Sequence, residues 1–278
     1  SKTSAKTSVV AKGTLTTATP KIDGTVKVGS TLTAVAGQWT SGTTFTYRWY
    51  SLGKAIRGAT AASFVLTADQ LGEPITVKVT GSKDGYATVS KTSAKTSVVA
   101  KGTLTSVAPT ISGTVKVGST LTVSRGKWTS GTTFKYQWYA SGKVIKGATS
   151  TTFVLSADQL GEPITVKVTG SKDGYTTVSK TSAKTSVVAK GTLTTATPTI
   201  SGTAKVGSAL TAKPGKWTAG TKFTYQWLAD GKAIKGATKK TYTLTATEKG
   251  KVIAVKVTGT KTGYTTASKT SKTTGKVT

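Results

Sequence analysis

An all-β tandem array is the fold class this chain predicts, and three observations predict it. Trp39, Trp128 and Trp217 are spaced by 89 residues, and the same interval separates Trp49, Trp138 and Trp227, Pro20, Pro109 and Pro198, and Tyr86, Tyr175 and Tyr264. Within each copy, short segments alternate apolar and polar side chains at period two, the spacing of a strand with one face in a core. Glycine-rich breaks separate these segments, and helical periodicity is missing. A unit of 89 residues is too long for a solenoid rung and suits a small independent domain. The register never slips, so no insertion separates the copies.

In the first copy, TLTA (31–34) and FTYRW (45–49) read as strands, followed by SFVLT (63–67) and ITVKVT (75–80). The breaks VGS, SGT, LGK and DGY fall between or after them. Asp84-Gly85 is a strong hairpin turn, because Gly and Asp tolerate the positive φ such a turn requires. The last strand is expected to be long, from Tyr86 to about Val99. Pro74 and Pro163 start a strand, where a missing N–H is tolerated. About seven short strands at this spacing indicate an immunoglobulin-like β-sandwich. Trp49, Trp138 and Trp227 take the third-strand position where such sandwiches bury a tryptophan. Trp39, Trp128 and Trp217, in Gly-flanked turns, read as caps on the same cores. No cysteine exists to form a disulfide, and Leu32 with Val77 or Val79 is expected to fill that place.

The domain organisation follows. Residues 14–102, 103–191 and 192–278 are three Ig-like repeats. The leader SKTSAKTSVVAKG (1–13) recurs unchanged at 90–102 and 179–191, where it is the tail of a repeat. It therefore reads as the last strand of a preceding repeat. Linkers such as VVAKGTLTTATP are short and β-prone, and should be semi-rigid.

The segments GTVKVGSTLT, GQWTSGTTFTYRWY, GKAIRGAT, LTADQLGEPITVKVTGSKDGY and SKTSA resemble bacterial Ig-like repeats of secreted Gram-positive proteins. Actinobacterial surface proteins and wall hydrolases are the usual carriers. The resemblance spans nearly the whole chain, and it implies a secreted, non-catalytic role at the cell envelope. It is weak on function, because such repeats are appended to many different proteins.

The residue inventory excludes most chemistry. Histidine, cysteine and methionine are absent, and so is asparagine. No Ser-His-Asp triad, thiolate nucleophile or Cys-ligated zinc can be built. The nine acidic residues are thinly spread. Positions Asp158, Glu162 and Asp173 become Thr247, Lys251 and Thr262 in the third repeat, which a glycosidase pair or calcium cage would not survive. The expectation is therefore no enzyme, no cofactor and no metal. Asp69 and Asp158 are candidates for a Lys–Asp cross-link, but a carboxylate capping the backbone of its corner is the favoured reading. No run reaches the roughly 18 apolar residues of a membrane span.

Charge is the strongest functional signal. The chain carries +30, distributed as +3 in the leader, +6 and +8 in the first two repeats, and +13 in the third. The candidate contacts to an anionic polymer are Lys213, Lys216, Lys222, Lys239, Lys240, Lys249, Lys251, Lys272 and Lys276. All but Lys216 are absent from both sister repeats. In one reading they fix the chain to an anionic cell-wall polymer or acidic polysaccharide, with nucleic acid bound only non-specifically. In the other, outward lysines keep β domains soluble and guard sheet edges. The second explains constant lysines such as Lys78, Lys167 and Lys256, but leaves the gradient unexplained.

Repeats and charge point to a non-catalytic spacer or stalk that attaches by charge, and the resemblance implies that it is extracellular, a structural and adhesive protein at a cell surface or wall. Two alternatives accompany it. One is self-association into a surface filament through strand addition by the leader. The other is a carbohydrate-binding module array, which would need exposed tryptophan platforms at Trp39, Trp128 and Trp217.

Overall fold

The computed structural model describes residues 2–278. The first repeat contains seven strands: β1 (Lys21–Asp23), β2 (Thr31–Val35), β3 (Thr44–Ser51), β4 (Lys54–Ala55), β5 (Ser63–Val65), β6 (Ile75–Ser82) and β7 (Val89–Thr92). They form a three-stranded sheet in the order β1-β2-β5 and a four-stranded sheet in the order β4-β3-β6-β7. All of these pairings are antiparallel. The third repeat repeats both sheets with the same orders. The second has the equivalent three-stranded sheet of Thr110–Ser112, Thr120–Ser124 and Thr152–Val154, and the long strands Thr133–Ala140 and Ile164–Ser171.

Alternation dictates which faces meet. Along β6, Ile75, Val77 and Val79 have no exposed surface, and Trp49 stands opposite Val77 in the register. Leu32 projects from β2 into the same cluster, with Leu66 and Val99. The Trp49 indole donates its N–H to the Ala61 carbonyl at 2.9 Å, so its one polar atom is satisfied. Trp138 and Trp227 do the same toward Ser150 and Lys239, each at 2.9 Å. Burial of each such aliphatic side chain contributes about 1.5–3 kcal/mol, which lets a domain of this size hold together without a disulfide.

One expectation about a strand is corrected. The last strand is not continuous from Tyr86 to Val99. It is regular only over Val89–Thr92, and the chain then continues the ladder with hydroxyls. Val77 N–H donates to Ser93 Oγ at 3.1 Å and Ile75 N–H to Thr96 Oγ1 at 2.9 Å. Serine and threonine compete with the backbone for such bonds, so the donors of β6 stay paired while the strand is interrupted. Regular contact resumes where Val98 bridges Pro74 and Val99 bridges Leu71. The leader forms no strand over residues 2–12, and Ser1 lies outside the described residues. Its Val10 is 93% exposed, whereas the equivalent Val99 is 1% exposed.

The acidic corner is also built differently from the capping expectation. A 3-10 turn, Ala68–Gln70, is capped by Thr67 and Gln70 rather than by Asp69. Thr67 N–H donates to the Gln70 side-chain oxygen at 2.9 Å, and the Asp69 N–H bonds the Thr67 hydroxyl. This is a capping box, with Gln70 buried and Asp69 exposed.

By its internal packing the chain divides into two compact units. One runs to Val107 and includes Lys127–Phe134 and Thr169–Ser179; the other comprises Ala108–Gly126, Lys135–Val168 and Lys180–Thr278. The tip of the second repeat thus belongs with the first repeat. The joint is direct: Tyr175–Thr176 pairs in parallel with the linker strand Gly102–Thr103, and Tyr175 packs against the first repeat's core. In the other unit, Tyr264–Thr265 pairs with Gly191–Thr192 in the same way.

Candidate functional site

The added lysines of the third repeat fall into three groups, set by where its strands end. Lys213 closes the strand Ala209–Lys213 and stands opposite Thr199. The Lys240 carbonyl accepts from Ala212 N–H at 2.9 Å, so Lys239 and Lys240 leave the backbone beside it. Lys272 faces a cleft with Pro198, Thr199 and Ile200. A second group surrounds the corner. Lys276 bridges Val252, the Lys251 carbonyl accepts from Val277 N–H at 2.9 Å, and Lys249 closes the capped turn.

Lys222 belongs to a third group. It pairs with Thr260 at one end of the four-stranded sheet, while Ala229 pairs with Ile253 at the other. At about 3.3 Å per residue, Lys222 and the corner lysines are separated by about 23 Å. Lys216 lies in the turn before Trp217. All nine are exposed except Lys251, which is half-buried. They clothe the length of the repeat rather than converge on one pocket.

Lys251 has a further role inside the corner. The position of Gln70 and Gln159 is Glu248 in the third repeat, and that of Phe64 and Phe153 is Tyr242. Glu248 is almost wholly buried, and its carboxylate accepts from Thr245 N–H at 2.9 Å and Thr245 Oγ1 at 2.8 Å. Burial pushes its pKa up, but these two bonds, the Tyr242 hydroxyl and nearby Lys251 together outweigh it. The net result lies below the ordinary carboxylate value. Burial is likewise the main reason that the Tyr242 hydroxyl is pushed up, with the bond to Glu248 and its charge adding to it. A buried charge is tolerated because hydroxyl and ammonium arrive with it. Neither change was legible alone, but the paired substitution across copies was in the sequence.

The tryptophans are placed as follows. Trp49, Trp138 and Trp227 have no exposed surface. Trp128 and Trp217 are buried and Trp39 is half-buried. Trp39 meets Phe45 edge-to-face at 5.3 Å, and its N–H donates to the Ala36 carbonyl at 2.9 Å. One edge of its ring lies so close over Gly81 that a Cβ there would come within 2.6 Å. An indole held this way closes the end of the core. Among the described residues, no group of three or more acidic side chains is placed to hold a metal ion.

No protein-family model matches the chain, and no curated protein matches it. Solved structures that align with it are multi-domain β proteins. One is a Ca2+-stabilised adhesin with which an Antarctic bacterium reaches out and binds ice, at 14% identity over 95% of this chain and 75% of that one, with a TM-score of 0.31. Another comprises three N-terminal domains of the highly immunogenic outer capsid protein of bacteriophage RB49, at 17% identity over 93% and 98%, with a TM-score of 0.26. A third comprises the FN1–FN3 domains of chicken CNTN1, at 11% identity over 91% and 97%, with a TM-score of 0.24. Likenesses this distant carry no functional argument; the sheets and cores above define the fold. The chain is a tandem array of three immunoglobulin-like β-sandwiches without disulfides.

Proposed function

We propose that the chain is a non-catalytic extracellular stalk that projects cargo and attaches by positive charge to anionic cell-envelope polymers of a Gram-positive bacterium. One observation carries the reading. Eight positions that are neutral or acidic in both sister repeats are lysine in the third, and seven of these side chains are exposed. Solubility alone needs no gradient between domains of one fold, whereas a foot on a polyanion does. The direct joints between successive repeats suit a spacer, because an ordered joint transmits position better than a flexible linker.

The test reverts charge without touching the corner. Lys251 stays, since it faces Glu248. Lys213→Ser, Lys222→Thr, Lys239→Ser, Lys240→Thr, Lys249→Leu, Lys272→Ala and Lys276→Val bring the third repeat from +13 to +6, the charge of the first. Binding to Gram-positive walls with and without teichoic acid, measured by co-sedimentation, should fall roughly tenfold or more at low salt. The slope of log affinity against log salt should flatten as well. Unchanged affinity in the reverted chain refutes the electrostatic foot.

A further inference from the structure

We propose that a cleft at the tip of the third repeat is a binding site for a phosphate group, held between the ammonium groups of Lys222 and Lys261. The ligand class is a polymer of phosphate esters. The polymer rests on the attachment reading; affinity for the anion itself does not.

The scaffold of the cleft is common to the repeats. In the third, Gly220, Lys222, Thr260, Lys261 and Thr262 line it. In the first, the equivalent cleft has Gly42, Thr44, Ser82, Lys83 and Asp84 at the same positions. One ammonium is fixed in every copy. Lys83, Lys172 and Lys261 donate from Nζ to the carbonyls of Ser41, Ser130 and Ala219 at 2.9, 3.0 and 2.8 Å. The same nitrogens stand 4.8, 4.8 and 4.7 Å from the ring centroids of Tyr86, Tyr175 and Tyr264. An ammonium has three donors, so a carbonyl and a ring face leave one for a ligand. All three of these lysines are half-buried, and a side chain already held in place loses little further entropy when an anion arrives.

What differs is the surroundings of that fixed charge. In the first two repeats the next residue is a carboxylate, Asp84 or Asp173, which repels an incoming anion; in the third it is Thr262. In the first two repeats, Thr44 and Thr133 also bond across the strands to the hydroxyls of Ser82 and Ser171, each at 2.9 Å. Lys222 replaces that threonine, directly opposite Thr260 in the register. A cross-strand pair places both side chains on one face, so the new ammonium and the Thr260 hydroxyl share the cleft. Across these three positions the charge rises from zero, as in Lys83 with Asp84, to +2 in Lys222 with Lys261.

The donor set selects among anions. The third repeat has no arginine, so it offers no planar fork to a carboxylate. Two lysines act as point charges, and the hydroxyls of Thr260 and Thr262 can donate from other directions. Donors that converge from several sides suit a tetrahedral oxyanion. Lys222, Thr260 and Thr262 are exposed, so the cleft is open enough to take a phosphate from the middle of a chain.

The test is NMR titration of the full chain with inorganic phosphate, followed at the amides of Gly220, Thr260 and Thr262, with acetate compared at equal ionic strength. Shifts at those amides should saturate with phosphate and not with acetate. Lys222→Thr with Thr262→Asp installs the residues of both sister repeats and should weaken phosphate binding roughly tenfold or more, since each exchange alters a charge in the cleft. The converse pair, Thr44→Lys with Asp84→Thr, should build the site in the first repeat, a gain that no folding defect imitates. Poly(glycerol phosphate) should displace the bound phosphate, and polyglucuronate of matched charge should not. A response that never saturates, saturation shared by acetate, displacement by polyglucuronate, or a converse variant that gains nothing overturns the proposal. Failure of poly(glycerol phosphate) to displace overturns the polymer. The attachment reading fails separately: wall binding lost on reverting the seven lysines, with no saturation at the cleft, keeps the foot and overturns the site.

Discussion

Gly29→Ala separates the joint from the domains it connects, because Gly207→Ala supplies its control. Gly29 and Gly207 have φ of +86° and +83°, so alanine suffers the same backbone strain at either position, about 1–2 kcal/mol. Only Gly29 has a tyrosine above it, with the hydroxyl 2.2 Å from the new methyl. Ordinary contact requires well over 3 Å, so Tyr175 must leave its seat by more than an ångström. Displacing the ring from Val28 and the linker glycine forfeits apolar burial on the order of 1.5–3 kcal/mol. The readout is hydrogen exchange at Gly102 N–H, whose bond to the Gly174 carbonyl exists only while the joint is closed. The lost burial corresponds to exchange about ten- to 150-fold faster at that amide. Amides inside the first core, such as Trp49 N–H bonded to the Ala59 carbonyl, should slow or quicken only by the strain shared with the control. Gly207→Ala should leave Gly102 as in wild type. Equal exchange at Gly102 in both variants refutes the joint.

The third repeat should lose stability in acid through Glu248. Its folded pKa is depressed, so its contribution is fully present above the ordinary carboxylate value of 4.5 and is lost as pH falls through the lower folded value. Glu248→Gln, the residue of the sister repeats, should remove that part of the pH dependence in thermal unfolding between pH 7 and 3. Leu52 occupies the first position of a two-residue turn at φ +45°, where the third repeat has Asp230 at +47°. Leu52→Asn should therefore raise the thermal midpoint, with a gain of about 1 kcal/mol. Thr67→Ala removes the cap of the 3-10 turn and should cost about 1 kcal/mol in denaturant unfolding. Ser93→Ala leaves the buried Val77 N–H without its acceptor and should cost about 1–3 kcal/mol by the same measurement.

What could be read before any coordinates was whatever depends on periodicity. The alternation of Ile75, Val77 and Val79 fixes a face, and Trp49 shares it because strand pairing carries the pattern across. The lysine gradient was legible because it is a difference between copies. The interruption after Thr92 was not, since hydroxyls that replace backbone acceptors leave the apparent strand pattern of SKTSAKTSVV intact. The capping box escaped for a related reason: Asp69 drew attention as a charge, while neutral Gln70 makes the bond. Gly29 and Tyr175 are 146 residues apart and belong to different repeats, so no local pattern joins them.

Differences among the copies are partitioned over the surface. Between the second and third repeats, acid is lost at Asp158, Glu162 and Asp173 and lysine is gained at strand ends and around the corner. The corner's interior is rebuilt as a set, with Tyr242, Glu248 and Lys251 changing together. The seat of the joint does not change: Val206-Gly207 and Ala246 keep the residues of Val117-Gly118 and Ala157. The φ of Gly207 remains at +83° although no tyrosine lies above it. The third repeat has thus changed its surface lysines and its corner interior while keeping the valine, glycine and alanine that seat a tyrosine in the other two repeats.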